Sequence, residues 1–216
     1  MGQARSPQLA YAGLVMDSTH QPSPVFSQEW SQHFIANSER HLVPLAGRPL
    51  RYLEIGVFEG SSSLWMLSNV LTHPDSRMVG IDAWPVPTDP YEARARANLA
   101  PEAHRVELIK GFSNEALRDP RLKPDSFDII FIDGDHRGLG VLTDSVLCWP
   151  LLKVGGICIW DDYGWRRAFW KRLPSHLRPA AAIDAFRSAV VDQSELLFRN
   201  YQIGLRKTPA PEQVWH

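Results

Sequence analysis

Two hydrophobic rhythms alternate along the chain. Short apolar runs rich in β-branched and aromatic residues read as strands buried on both faces: Leu50–Ile55, Met78–Ile81, Val106–Ile109, Ser126–Ile132 and Gly156–Trp160. Between them, apolar residues recur at helical spacing. Leu64, Met66, Leu67, Val70 and Leu71 mark one helix, and Tyr91–Leu99, Val141–Leu152 and Ala180–Val190 mark others. Gly111-Phe112-Ser113 opens a shorter one. Ahead of the first strand, Ser27 is placed to cap a helix from Gln28 that Gly47-Arg48-Pro49 ends. Its apolar side is Trp30, Phe34, Ile35, Leu42 and Val43. Gly155-Gly156 reads as a turn into the fifth strand, and Leu196–Asn200 with Tyr201–Arg206 as a closing pair of short strands. Strands alternating with helices predict an α/β fold, a doubly wound and mostly parallel sheet, with the terminal pair adding antiparallel edges.

The same pattern predicts one domain over residues 26–208, with a Pro/Ser-rich flexible segment over 1–25 and a loose tail over 209–216. Residues 163–178 are rich in Arg, Trp and Pro and read as a loop or lid. No internal repeat or second domain is visible. A chain of 216 residues, 44% of them hydrophobic, suffices for one proper core. With 23 basic and 24 acidic residues the net charge is −1, so neither a nucleic acid nor a membrane is expected as partner. No apolar run reaches the length of a membrane span. The N-terminus lacks the apolar core of a signal peptide, and the expected location is cytoplasmic. Met1-Gly2 with Ser6 matches a myristoylation pattern in isolation, which alone carries no weight. Cys148 and Cys158 lie in apolar surroundings and read as buried, reduced thiols. Whether the chain forms a homo-oligomer stays open.

Chemistry is concentrated where the strands end. In open α/β sheets, ligands bind just beyond the carboxyl ends of strands. The run Phe127–Ile132 ends in Asp133-Gly134-Asp135-His136, and Gly156–Trp160 ends in Asp161-Asp162-Tyr163. If the two strands are neighbours, four carboxylates converge, which is costly unless a cation holds them or they share protons. A divalent-metal site follows. A third strand end, Leu53-Glu54-Ile55-Gly56, leads through Gly60 and Ser61-Ser62-Ser63 into a helix. That geometry feeds a nucleotide-like ligand to a helix N-terminus. The spacing is neither the dinucleotide fingerprint nor a phosphate loop. The serines suit a carboxylate and Glu54 an ammonium, so an amino-acid moiety fits better than a pyrophosphate. Asp82, at the end of the next strand, can accept from two ribose hydroxyls. The plainer readings are a tight turn with surface acids, an Asp161-Asp162 pair capping a helix, and a structural His136.

The stretches LEIGVFEGSSS, VGIDAW, IKGFSNEAL, FIDGDH and GGICIWDDY, spanning residues 53–163 in this order, resemble the class I S-adenosylmethionine-dependent methyltransferases. More narrowly, they resemble the metal-dependent small-molecule O-methyltransferases of the catechol and antibiotic-sugar (macrocin) types. The resemblance implies a single-domain, Rossmann-like sheet of seven strands with the last antiparallel. It implies that Glu54, Gly56 and Ser62 bind the methionine part of the cofactor, that Gly60 shapes the loop, and that Asp82 takes the ribose. Phe112 and Ser113 would lie near the adenine. Asp133, which also borders the cofactor, would hold Mg²⁺ or another divalent cation with Asp161 and Asp162. Catechol-type enzymes usually carry Asn at the last metal position, where this chain has Asp162. They carry Lys at the base position, where it has His136. Relatives of the sugar type use a His there or the Asp matching Asp135, so both stand as candidates. The expected acceptor is a hydroxyl of a sugar, polyphenol or other secondary metabolite. The competing expectations are a hydroxylase-associated relative and a non-catalytic cofactor-binding protein.

Overall fold

The computed structural model describes residues 23–28, 32–86, 90–165, 174 and 178–211. The elements in chain order are α1 Gln32–His41, β1 Arg51–Ile55, α2 Ser61–Asn69, β2 Arg77–Asp82, α3 Tyr91–Asn98, β3 Val106–Lys110 and α4 Ser113–Ala116. They continue with β4 Phe127–Ile132, α5 Gly138–Cys148, β5 Leu152–Trp160, α6 Pro179–Ala189, β6 Ser194–Arg199 and β7 Ile203–Lys207. The seven strands form one sheet in the order β3-β2-β1-β4-β5-β7-β6. Pairing is parallel from β3 through β5, while β7 runs antiparallel to both β5 and β6. This is the doubly wound sheet with an antiparallel last strand that the sequence implies.

Period-two alternation sorts each central strand onto two cores. Leu53 and Ile55 of β1 face one side with Val141 and Cys148 of α5 and Ile183 and Phe186 of α6. Tyr52 faces the other with Phe34 of α1, Met66 and Leu67 of α2 and Ala95 of α3. Because both faces are covered, the central strands read as continuous apolar runs.

The structure refines three sequence expectations. Gly155 and Gly156 are not a turn before the fifth strand but lie within β5, where the pairing with β4 shifts register between Phe127 and Ile129. Gly155 has φ +85°, a conformation that favours glycine. The closing strand pair adds the expected antiparallel edge beyond β5, with β7 rather than β6 next to β5. The first helix is described from Gln32, and the Ser27 backbone N–H donates to Glu59 Oε2 at 2.6 Å. Most of the N-terminal segment, residues 87–89 and 166–173 and the tail from 212 lie outside the described residues, as does most of the expected lid. Among the described residues, no helix is long and apolar enough to cross a membrane. Cys148 and Cys158 are both buried and unpaired.

Candidate active site

Backbone hydrogen bonding past the strand ends aligns the site. The Gly56 N–H donates to Ile81 O, Asp133 N–H to Ile55 O and Asp161 N–H to Ile132 O, at 2.8, 2.8 and 3.0 Å. Each bond continues the parallel ladder by one residue, so the first residues after β1, β4 and β5 stand at one level. The crowding there fixes Gly56. It has φ +91°, and a Cβ built on it would lie 2.0 Å from the Asp133 carbonyl oxygen. Gly60, at φ +82°, precedes α2 and packs against Leu99. These turns open a cavity of about 1450 Å³ above the strand ends. Its lining includes Gly56, Ser61, Ser62, Asp82, Phe112 and Ser113 on one side and Asp133, Asp135, His136, Asp161 and Asp162 on the other.

Glu54 does not line this cavity. It is fully buried beneath the loop, where its two oxygens accept from the hydroxyls of Ser62 and Ser63. Burial, outweighing those hydrogen bonds, raises its carboxyl to about 7. Glu54 therefore orients the serines, and Ser61 and Ser62 present the polar surface. Asp82 is pinned from two sides. Its Oδ1 accepts from the Trp84 N–H at 2.7 Å and its Oδ2 from the Phe58 N–H at 2.8 Å. Both donors sit at positive φ, 36° for Trp84 and 52° for Phe58. Local strain of this kind is held only where the surroundings dictate it. Each carboxylate oxygen keeps a second lone pair for a ligand.

The acidic cluster has a definite geometry. One ligand atom each from Asp133, His136 and Asp162 lies within 4.8 Å of the others. His136 Nδ1 is 3.2 Å from Asp162 Oδ2, and the ring meets Trp165 edge-on at 4.9 Å. Asp162 adopts φ +58°, tolerated by Asp, at the start of the turn after β5. Burial, then the charges of Asp161 and Asp162, push the Asp133 carboxyl well above the usual range. Burial and Asp162 push Asp161 up to about 6. Carboxylates this close relieve their repulsion by sharing a proton or by holding a cation. Asp135 also lines the cavity but is engaged by its neighbour Arg137. Its oxygens accept from the Arg137 backbone N–H at 2.9 Å and from the Arg137 guanidinium at 2.8–3.1 Å. Burial acts against Asp135, yet these contacts hold its carboxyl below the usual range.

The structure adds residues that sequence reasoning missed. Gln202, fully buried at the turn between β6 and β7, donates from Nε2 to Asp161 Oδ1 at 2.9 Å. Its Oε1 accepts from Asn37 Nδ2 of α1 at 2.7 Å. Asn37 and Asn200 are bonded reciprocally at 3.2 and 2.9 Å. Tyr201 donates its hydroxyl to Asp162 Oδ1. The antiparallel hairpin thus supports both aspartates that follow β5. The only sequence signal was a run of amide residues in what read as an edge hairpin.

Comparison with known proteins follows the same stretch. A family model described as a methyltransferase domain matches residues 53–163. An uncharacterised protein of Acanthamoeba polyphaga mimivirus is 34% identical over 119 residues, 53% of this chain and 52% of its own length. A protein of Mycobacterium sp. (strain JLS), provisionally named an O-methyltransferase, is 31% identical over 146 residues, 67% of this chain and 59% of its own length. The chain thus spans between half and three-fifths of these curated relatives. Among solved structures, the MycE methyltransferase of the mycinamycin biosynthetic pathway, in complex with Mg, S-adenosylhomocysteine and mycinamycin VI, superposes with a TM-score of 0.61 at 19% identity. That match covers 88% of this chain and 53% of MycE.

Proposed function

The chain belongs to the methyltransferase-domain family and has the class I methyltransferase fold, and from that premise we propose that it is an S-adenosylmethionine- and divalent-metal-dependent O-methyltransferase acting on a hydroxyl of a small molecule. One observation carries this reading: a single cavity holds the glycine–serine loop with Asp82 and the Asp133–Asp161–Asp162–His136 cluster together. A sulfonium methyl donor held at the first and a hydroxyl held at the second would share one cavity, the condition for in-line transfer. The Mycobacterium relative's name and the Mg and S-adenosylhomocysteine of MycE point the same way.

The residues fit both groups. Gly56 lets its turn close against the Asp133 backbone, and Ser61 and Ser62 at the start of α2 suit the carboxylate of the methionine part. Asp82 suits the ribose hydroxyls. Asp133, Asp161 and Asp162 would hold the cation through hard oxygen ligands. When bound, Mg²⁺ supplies Lewis-acid polarisation of the acceptor oxygen and S-adenosylmethionine supplies an electrophilic methyl. The protein's own contribution is orientation and a proton acceptor. His136 is the better placed base, because it turns toward the cluster while Asp135 is committed to Arg137. With Nδ1 facing the Asp162 carboxylate, the imidazole presents Nε2 as the acceptor, and the acceptor's hydroxyl proton moves there.

The test is a methyl-transfer screen with labelled S-adenosylmethionine over hydroxylated sugars, polyphenols and macrolides, with Mg²⁺ and with chelator. Metal-dependent labelling of a hydroxyl is the expected result. Tight adenosylhomocysteine binding without transfer to any acceptor class would favour a binding protein, and labelling unaffected by chelator would remove the metal.

A further inference from the structure

A short stretch ahead of α1 is fastened to the outer side of the glycine–serine loop. The Asn98 side chain, at the end of α3, holds both backbone groups of Val25. Its Oδ1 accepts from the Val25 N–H at 2.9 Å, and its Nδ2 donates to the Val25 carbonyl at 3.0 Å. The same Nδ2 donates to the Glu59 carbonyl at 2.9 Å. Glu59 lies between Gly56 and Gly60 and is only 1% exposed. Its Oε2 accepts from the Ser27 N–H and its Oε1 from Arg94 Nη1 of α3, both at 2.6 Å. A buried carboxylate is retained where donors satisfy it. Here one of those donors is backbone 32 residues earlier in the chain. Gln28, the next residue, lines the cavity, as do Phe58 and Ser61 of the loop. Within the segment Phe26 is half-buried, and Val25, Ser27 and Gln28 are exposed. A stretch with so little apolar burial depends on its hydrogen bonds and opens at low cost.

We infer that residues 25–28 are a strap whose docking is coupled to cofactor binding: Glu59 and Asn98 fasten it to the loop, Gln28 brings it to the cavity, and the occupied loop holds it in place. The inference rests on the cofactor reading above and adds a regulated element to that site. Phe58 links the two sides of the loop. Its N–H donates to Asp82 Oδ2 at 2.8 Å, and its ring packs on Tyr91 of α3 at 4.5 Å. The peptide that follows it carries Glu59. A ligand held by Ser61 and Asp82 therefore steadies the same stretch that presents the Glu59 carboxylate to Ser27. Such coupling is reciprocal: whatever the ligand adds to strap docking, the docked strap adds to ligand affinity. Glu59 and Asn98 do not line the cavity. They are positioning residues, acting through the strap and the loop.

Hydrogen exchange at the Val25 and Ser27 amides, with and without S-adenosylhomocysteine, tests this together with calorimetry of the same ligand. In the native chain the ligand should slow both amides by at least about fivefold. Ser27→Pro deletes the N–H that Glu59 accepts and leaves the core of the domain untouched. It should weaken S-adenosylhomocysteine about 5- to 20-fold with an unchanged thermal melt, and the ligand should no longer slow the Val25 amide. Val25→Pro, which deletes the donor to Asn98, should weaken the ligand to a similar degree. Exchange unaffected by ligand in the native chain, or native affinity in both proline variants, would overturn the inference while leaving the cofactor reading intact. Failure of the native chain to bind S-adenosylhomocysteine would overturn both.

Discussion

At Gly56 the side chain is a hydrogen because the Asp133 carbonyl occupies the space a Cβ would need. Gly56→Ala must therefore move the β4 end or unwind its own turn, besides holding Ala at φ +91°. The expected cost is at least about 2 kcal/mol by denaturant unfolding, and a loss smaller than 0.5 kcal/mol, roughly that of a neutral surface change, would show that the two turns are not pressed together. Glu54 carries a pH signature. Its folded-state carboxyl sits near 7, above the ordinary 4.5. The folded protein then binds that proton more tightly than the unfolded chain does. The stabilisation is fully present below about pH 4.5 and is lost as pH rises through about 7, on the order of 3 kcal/mol. Glu54→Gln, an isostere without the titration, should lack this loss. Parallel stability–pH curves for the two proteins between pH 4.5 and 8 would refute it. The acids at strand ends were legible because strand, turn and acid adjoin in sequence. Glu54's place under the serines was not legible, since the loop folds over its own strand.

Among the elements, β7 decides how the acidic cluster, the proposed metal site, is supported. Its insertion beside β5 brings Tyr201 and Gln202 onto Asp162 and Asp161, and α1 reaches the same amide through Asn37. Partners behind a ligand commonly tune metal affinity by 10- to 100-fold. Gln202→Leu keeps the volume and removes both hydrogen bonds. It should weaken Mg²⁺ or Mn²⁺ binding within about that range and leave adenosylhomocysteine affinity unchanged, because the glycine loop and Asp82 touch neither residue. Calorimetry with each ligand separates the two effects; equal loss of both would mean a general collapse of the fold rather than a role for the hairpin. The central strands were readable from the chain because local pattern sets them. The strand order was not, since antiparallel insertion of β7 is a long-range choice and leaves no trace in a short hairpin-like stretch. The glycines of β5 misled for a related reason: a positive-φ residue commonly marks a turn, and here it marks an irregular stretch of pairing.

On the scale of the whole molecule, the sheet order sets the glycine–serine loop and Asp82 over β1 and β2 and the acidic cluster over β4 and β5, so under the proposed function binding and chemistry should separate experimentally. Adenosylhomocysteine should bind in chelator, because Ser61, Ser62 and Asp82 need no cation. Asp133→Ala should lower metal affinity and recover part of its activity at high Mg²⁺. His136→Ala should keep both ligands yet lose roughly 10²–10⁴-fold in turnover, the usual worth of a positioned base. The geometry sharpens this contrast, since Asp133, His136 and Asp162 could also offer three atoms to one ion. If the imidazole were a ligand, His136→Ala would lose metal, as Asp133→Ala does, and added Mg²⁺ would restore it in part. If it is the base, added Mg²⁺ restores nothing, and metal titrations of the native chain and His136→Ala superimpose. A near-native turnover in His136→Ala at saturating substrate would transfer the proton to Asp135, which would have to release Arg137 first, and Arg137→Ala would then raise the rate instead of leaving it unchanged.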